Sequence, residues 1–437
     1  MSLYLTDPIL RAPAWGCMLM SLSASLMGAI LFLRKKSLLA ESLSHASYPG
    51  VVLSFFFLAA FFPYEGEQWV FFMVLLGAFL ASSLALKSIE WLEKKGKIFP
   101  DTTLCFVLSV FFGAGLTAAS LMQGRYPSWF KQVQMLLFGQ VATMTDVHIV
   151  IYGSLSCLTA LFLFFIYRPL QVILFDSGYA KSLGVKTKWI ERGIFVFLLL
   201  SIIAGMRSVG VILMSGMLIA PAVAARQYTN RLSTMLILSA LFGTLSALLG
   251  YILSVEASLH WGSLESPLSL PTGPLIVLVS VFWAFFSLCF AKRRGLVFRL
   301  ARIFSFRLSC LQENVLKNLW KKKTASLRQL SSSHSTSFFT LRFVLWRMIS
   351  QGWLKCSRNE YELTGDGYQK AAAIVRLHRL WEVYLTHYLG KEPESVHRNA
   401  EEMEHILTPD LERRPTELLA DPQRDPHHQP IPGRKLL

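Results

Sequence analysis

Glu41 and His45 stand four residues apart in Glu41-Ser-Leu-Ser-His45-Ala-Ser-Tyr-Pro49-Gly50, so on a helix they share one face. A carboxylate and an imidazole presented together can bind a divalent transition metal. His378 and Glu382 repeat that spacing, and His397, Glu401, Glu404 and His405 follow at i, i+4, i+7 and i+8. The donors on these two later stripes suit manganese(II), iron(II) or zinc(II). Plainer readings stand beside these. His45 could be an interfacial histidine held by a nearby acid, and a lone helical His is usually structural. Six matched donors on two stripes are harder to explain that way.

The elements that must position these residues are of two kinds. The chain has 437 residues, 53% hydrophobic and 16% charged, with a mean hydropathy of +0.45. That is too apolar for a soluble globular protein of this length. A helix needs about 20 apolar residues to cross a bilayer, and the runs predict about nine spans: 12–33, 46–63, 68–86, 102–122, 147–167, 190–206, 208–226, 232–254 and 274–291. The 133–143 piece is too short to cross and reads as re-entrant. Pro49-Gly50 is expected to interrupt its helix beside Glu41 and His45, as transporter sites often require. Alternate loops carry most of the Lys and Arg, which places the N-terminus outside and the C-terminus in the cytosol. The N-terminus lacks the form of a signal peptide, since Asp7-Pro8 precedes the first apolar run. Six scattered cysteines form no CxxC pair, and the four in apolar runs read as small buried hydrophobes.

After Phe290 the composition changes. From Lys292 to Arg358 there are fifteen Lys/Arg and one acid, Glu313. Residues 292–308 read as a basic linker able to lie near anionic lipid headgroups. A helix over 311–320, a short helix over 326–332, a helix over 338–350 and an apolar–turn–apolar hairpin over 352–363 make a winged-helix layout, with 338–350 aimed at the major groove. Arg342 and Arg347 on that helix suit phosphate contacts. A basic, membrane-facing module fits the pattern equally; the His/Glu stripes that follow favour the DNA reading. The expected fold is therefore an all-α polytopic membrane domain (1–291), the linker (292–308), a mainly α winged helix (309–371) and a helical metal-binding and dimerisation region (372–437).

The residues around these sites carry two resemblances. RKKSLLAESLSHASYPGVVLSF (34–55), LLFGQ (136–140), LFDSGYAKSLGV (174–185) and VGVILMSGMLIAPAVAARQYT (209–229) resemble, in order, the permeases of manganese/zinc/iron ABC importers. That resemblance implies a multi-pass bacterial inner-membrane subunit, working as a homo- or heterodimer with a separate cytosolic ATPase and an extracytoplasmic metal-binding protein. It makes Glu41 and His45 metal-path residues, where many members have Asp at position 41. It also makes Asp176, Ala180, Leu183 and Gly184 part of an ATPase-docking loop; on composition alone that loop is an ordinary solvated one. No GxxxxGK[ST] occurs, so the chain is read as a non-enzyme whose energy comes from the partner. A siderophore or vitamin permease is disfavoured by the SHxxxPG signature.

LHRLWEVYLTHYLG and VHRNAEEMEHILTPDL (377–411), with DPHHQPIP (425–432), are similar to the metal-dependent repressors of the diphtheria-toxin-repressor and manganese-repressor type. The resemblance implies one metal site on His378, Glu382 and His397, a second on Glu401, Glu404 and His405, a divalent metal (Fe2+, Mn2+ or Zn2+) as corepressor as well as cargo, and operator DNA as a partner. The family's first helix supplies a further ligand; the aligned positions here are Asn314 and Lys317, which leaves the second site either short of a donor or completed by the adjacent Glu313. The competing reading keeps the permease and makes the tail a metal sensor that inhibits transport without DNA. A tethered repressor reaches only DNA near the membrane, so cleavage in the basic linker is a further expectation.

Overall fold

The protein was analysed as a computed structural model that describes residues 2–61, 67–261, 270–292, 294–334, 336–357, 359–389, 419 and 422–433. Contacts divide the chain into two units, Met1–Phe298 and Arg299–Leu437.

The regular secondary structure among the first unit's described residues is all helical. A short α1 (Ser2–Thr6) leads into α2 (Arg11–Leu33) and α3 (Ser37–Phe61), followed by α4 (Glu67–Lys94) and α5 (Pro100–Arg125). Pro100 at the first helical position and Asp101 in the first turn start α5, where a missing N–H costs nothing and a negative charge meets the helix dipole. Then come α6 (Pro127–Phe138), a 3-10 turn at Val141–Thr143, α7 (Asp146–Phe175), α8 (Ser177–Ser182), α9 (Thr187–Ser208), α10 (Met214–Tyr228), α11 (Leu232–Trp261) and α12 (Thr272–Phe290).

Two helices form the middle of this unit. α2 packs against α7, α9, α10 and α11, and α3 packs against α4 and α5. Of the apolar stretch of each, 72% is buried, against 22% for α4 and for α5. The outward faces of the peripheral helices carry Leu80, Leu84, Phe106, Phe164, Phe165 and Phe285, all more than half exposed, as lipid-facing surfaces must.

Four expectations change here. Among the described residues eight helices, not about nine, are long and apolar enough to span a membrane. The 208–226 run is divided at Gly210, whose φ is 91°. What remains of it, α10, has 15 residues, about 22 Å at 1.5 Å per residue against a hydrocarbon core of about 30 Å. Second, α3 runs unbroken through Pro49-Gly50. The helix tolerates Pro49 because neighbours hold it on both sides: a Cβ on Gly115 would lie 3.0 Å from the Pro49 nitrogen, and one on Gly50 would lie 2.1 Å from the Gly77 carbonyl oxygen. Third, of the four cysteines in apolar runs only Cys17 is buried; Cys105 and Cys157 are exposed, on outward faces of α5 and α7. Fourth, 296–308 is helical, the first part of α13 (Leu296–Lys322).

The second unit folds around Val315, Leu316 and Leu319 of α13, Leu330 of α14 (Leu327–His334), and Leu341, Val344, Leu345 and Met348 of α15 (Phe338–Ser350). A short β1 (Thr324–Ser326), unforeseen in the sequence, joins the hairpin β2 (Leu354–Ser357) and β3 (Glu360–Leu363) in an antiparallel sheet ordered β1-β3-β2. Gly352 ends α15 with φ 76°; its N–H donates to the Ile349 carbonyl and that of Trp353 to the Met348 carbonyl, the paired bonds of a Schellman stop. α16 (Gly365–Leu389) follows the wing.

Candidate metal path, tail metal pair and relatives

The SLSHAS stretch builds its own socket. Ser42 Oγ donates to the Leu104 carbonyl at 3.2 Å, Ser44 Oγ to the Val211 carbonyl at 2.8 Å, and Ser47 Oγ to the Ser44 carbonyl at 2.6 Å. All three serines are fully buried. Ser42 ties α3 to α5 and Ser44 ties it to the break between α9 and α10, so the helix face bearing Glu41 and His45 is fixed from two directions. Sequence reasoning weighed the Glu and His of this stretch and passed over the serines.

Glu41 and His45 are both half-buried. The His45 ring lies 4.7 Å from that of Phe112 on α5, at 59°, and its Nδ1 is buried with no hydrogen-bond partner. Pro49 has no N–H, so it cannot close the helical bond to the His45 carbonyl. A buried polar atom normally has a partner; an imidazole nitrogen left over one turn from a carboxylate is suited to a passing cation. Among the described residues no group of three or more His, Cys, Asp or Glu is placed to hold a metal.

The break beside this socket is clamped from α6. Gln140 N–H donates to the Arg207 carbonyl at 2.7 Å and Val211 N–H to the Leu136 carbonyl at 3.2 Å. Gly139 has φ 78°, and a Cβ there would fall 2.3 Å from the Ser208 carbonyl oxygen. The Phe-Gly turn is thus the point where two chain breaks meet. The piece read as re-entrant is this packed α6 and turn.

In the loop after α7, Asp176 caps α8 by accepting from the Gly178 and Tyr179 amides at 2.7 and 3.2 Å. Ala180 is fully buried, and Gly184 supplies a left-handed turn at φ 76°. The exposed apolar surface is Phe175, Tyr179 and Leu183. Of the four loop residues singled out in the sequence, Ala180 is buried, while Asp176, Leu183 and Gly184 are exposed.

In the tail, His378 Nε2 lies 3.1 Å from Glu382 Oε1, and both residues are buried. His397, Glu401, Glu404 and His405 lie outside the described residues. Next to the pair, Arg376 is 2% exposed and its guanidinium donates to the Pro432 carbonyl at 2.8 Å. Arg379 Nε is 3.4 Å from Asp425. Two arginines on α16 thus hold the 425–432 segment. On α13, Glu313, Asn314 and Lys317 are half-buried.

On α15, Arg342 is exposed and Arg347 half-exposed. The same outward face carries Phe339 at 83% and Trp346 at 65% exposure, with Phe343 in ring contact with Trp346. These aromatics were not weighed in the sequence. Burial lifts the Tyr361 phenol on β3 above its ordinary pKa, with Arg342 pulling the other way.

Residues 6–291 match the ABC 3 transport family. The chain belongs to that family. In this ABC 3 chain, residues 364–433 match a second family, the iron dependent repressor, metal binding and dimerisation domain; α16 with its His378–Glu382 pair opens that stretch. A relative from Chlamydia trachomatis, described as "Probable metal transport system membrane protein", is 35% identical over 440 residues, covering 98% of this chain and 97% of its own. The manganese transport system membrane protein MntC of Bacillus subtilis is 28% identical, covering 85% of this chain and 83% of its own. PsaBC from Streptococcus pneumoniae, solved in complex with Fab, superimposes with a TM-score of 0.56 at 24% identity over 67% of this chain and 95% of that one; this is a likeness of fold. The ABC 3 chain thus carries, after its transport-family region, a stretch that matches the metal-binding and dimerisation domain of iron-dependent repressors.

Proposed function

We propose that this chain is the membrane subunit of an ATP-driven divalent-metal importer whose tail represses transcription when metal fills it. One observation carries the reading: a single chain presents His45 with an unpartnered buried Nδ1 one turn from Glu41, and a buried His378–Glu382 pair inside a stretch matching a repressor's metal-binding domain. Manganese, iron or zinc would pass Glu41 and His45. The exposed Phe175, Tyr179 and Leu183 around α8 would receive a separate cytosolic ATPase, an extracytoplasmic protein would deliver metal, and a second permease copy or homologue would complete the transporter.

The tail lies in the cytosol on this reading. His378 and Glu382 fit a divalent metal by donor chemistry, with His397, Glu401, Glu404 and His405 as the remaining ligands. A bound metal would supply charge that draws α16 and the following segment together. This chain's own residues do the rest: Arg376 and Arg379 fix the 425–432 segment to α16, and α15 presents Arg342 and Arg347 to phosphates. Metal shifts the tail toward its DNA-binding state only as far as it binds that state more tightly. Cleavage within 292–308 would free the tail to reach distant operators; blotting cells against the tail and finding full-length chain alone would exclude that step.

A second reading rests on the aromatic face of α15. Phe339, Phe343 and Trp346 suit a protein neighbour better than phosphates do, as in a tail that senses metal and slows transport directly. The deciding experiment places Arg342→Ala with Arg347→Ala in the full chain and measures operator binding and metal uptake together. The repressor reading expects DNA binding to fall while metal uptake is untouched; the sensor reading expects no metal-dependent DNA binding in the natural chain.

A further inference from the structure

α13 is one helix with two unlike halves. From Leu308 onward its apolar side chains are buried in the winged-helix core. From Leu296 to Arg307 every residue is exposed. That half is not polar: Leu296, Leu300, Ile303 and Phe304 follow i, i+4, i+7 and i+8, one stripe of a helix, and each is more than 40% exposed. Arg299 and Arg302 flank the stripe and Arg307 ends it. The half-helix begins six residues after Phe290, the end of the last span. No acidic residue occurs between Glu265 and Glu313, while Lys292, Arg293, Arg294, Arg299, Arg302 and Arg307 all do.

We propose that residues 296–307 form an in-plane helix seated on the anionic leaflet directly after the last membrane span, with Leu296, Leu300, Ile303 and Phe304 in the acyl boundary and Arg299, Arg302 and Arg307 at lipid phosphates. A basic amphipathic helix of this kind binds through buried apolar area and attraction to anionic headgroups together. A solvated linker would gain nothing from seven exposed large hydrophobics. A further crossing of core hydrocarbon is excluded by the arginines every three to five residues. The consequence is a tail whose first helix begins at the bilayer surface.

The test uses the full chain in nanodiscs of phosphatidylcholine with phosphatidylglycerol as the minor lipid. Phe304→p-benzoylphenylalanine, a change at an exposed position, is photolysed and its adducts are read by mass. Phe282→p-benzoylphenylalanine on the lipid-facing side of α12 sets the bulk lipid ratio. The account expects lipid adducts at 304 enriched in phosphatidylglycerol over those at 282, with the enrichment falling about fivefold for the first arginine changed to Ala. Equal lipid ratios at the two positions, an adduct to a second copy or an added ATPase, or enrichment indifferent to Arg299→Ala and Arg302→Ala would overturn it.

Discussion

His378 Nε2 and Glu382 Oε1 lie 3.1 Å apart on α16, their side chains 7% and 2% exposed. Such a pair orients its two side chains toward each other, and each partner depends on the other. Changing Glu382 to Ala leaves a buried imidazole without this acceptor, a loss of about 1–3 kcal/mol. We expect two effects in thermal unfolding of the full chain: a lower transition for the tail without metal, and no rise on adding manganese, where the natural chain's transition rises.

The transport pair should behave differently. Glu41→Ala and His45→Ala each remove a donor from a helix otherwise held by Ser42, Ser44 and Ser47, so both variants should assemble normally and lose metal uptake. Glu41→Asp keeps the carboxylate and should retain most of it. Uptake of radioactive manganese by cells lacking their own importer measures this; full uptake by the double Ala variant would remove the pair from the path.

Gly139→Ala should injure the permease without touching a metal donor. Its φ of 78° and ψ of 149° form a conformation that costs a residue with a Cβ about 1–3 kcal/mol, and the new Cβ would strike the Ser208 carbonyl. The expected result is a lower melting temperature in detergent and reduced uptake with His45 unchanged.

Neutralising Arg342 and Arg347 should weaken DNA binding uniformly across sequences and flatten its salt dependence by about one unit of slope per lost phosphate contact. Fluorescence anisotropy at several salt concentrations reads both.

Much of this was legible in the sequence, for definable reasons. The apolar runs, the 338–350 helix and the wing follow from periodicity, and α15 begins and ends at those residues. Hydropathy misjudged 208–226 because it counts apolar residues and is blind to the left-handed turn at Gly210. Pro49-Gly50 read as a break because a helix alone would kink there; close packing by Gly77 and Gly115 is information about neighbours. The serine socket escaped for the same reason: Ser44 needs the Val211 carbonyl, 167 positions away. The exposure of Phe339 and Trp346 depends on which face of α15 the domain core claims, and a helical period leaves that undecided.

The most direct test of the central claim is DNA binding by the full chain in nanodiscs. A fluorescent duplex from upstream of its own transport genes is titrated at fixed salt with manganese(II), iron(II) and zinc(II) in turn, and then with a chelator. The account predicts binding that appears with at least one of these metals, vanishes with chelator, and is lost in the His378→Ala/Glu404→Ala variant. Metal bound without any DNA association, or DNA association indifferent to metal and to that variant, would contradict it.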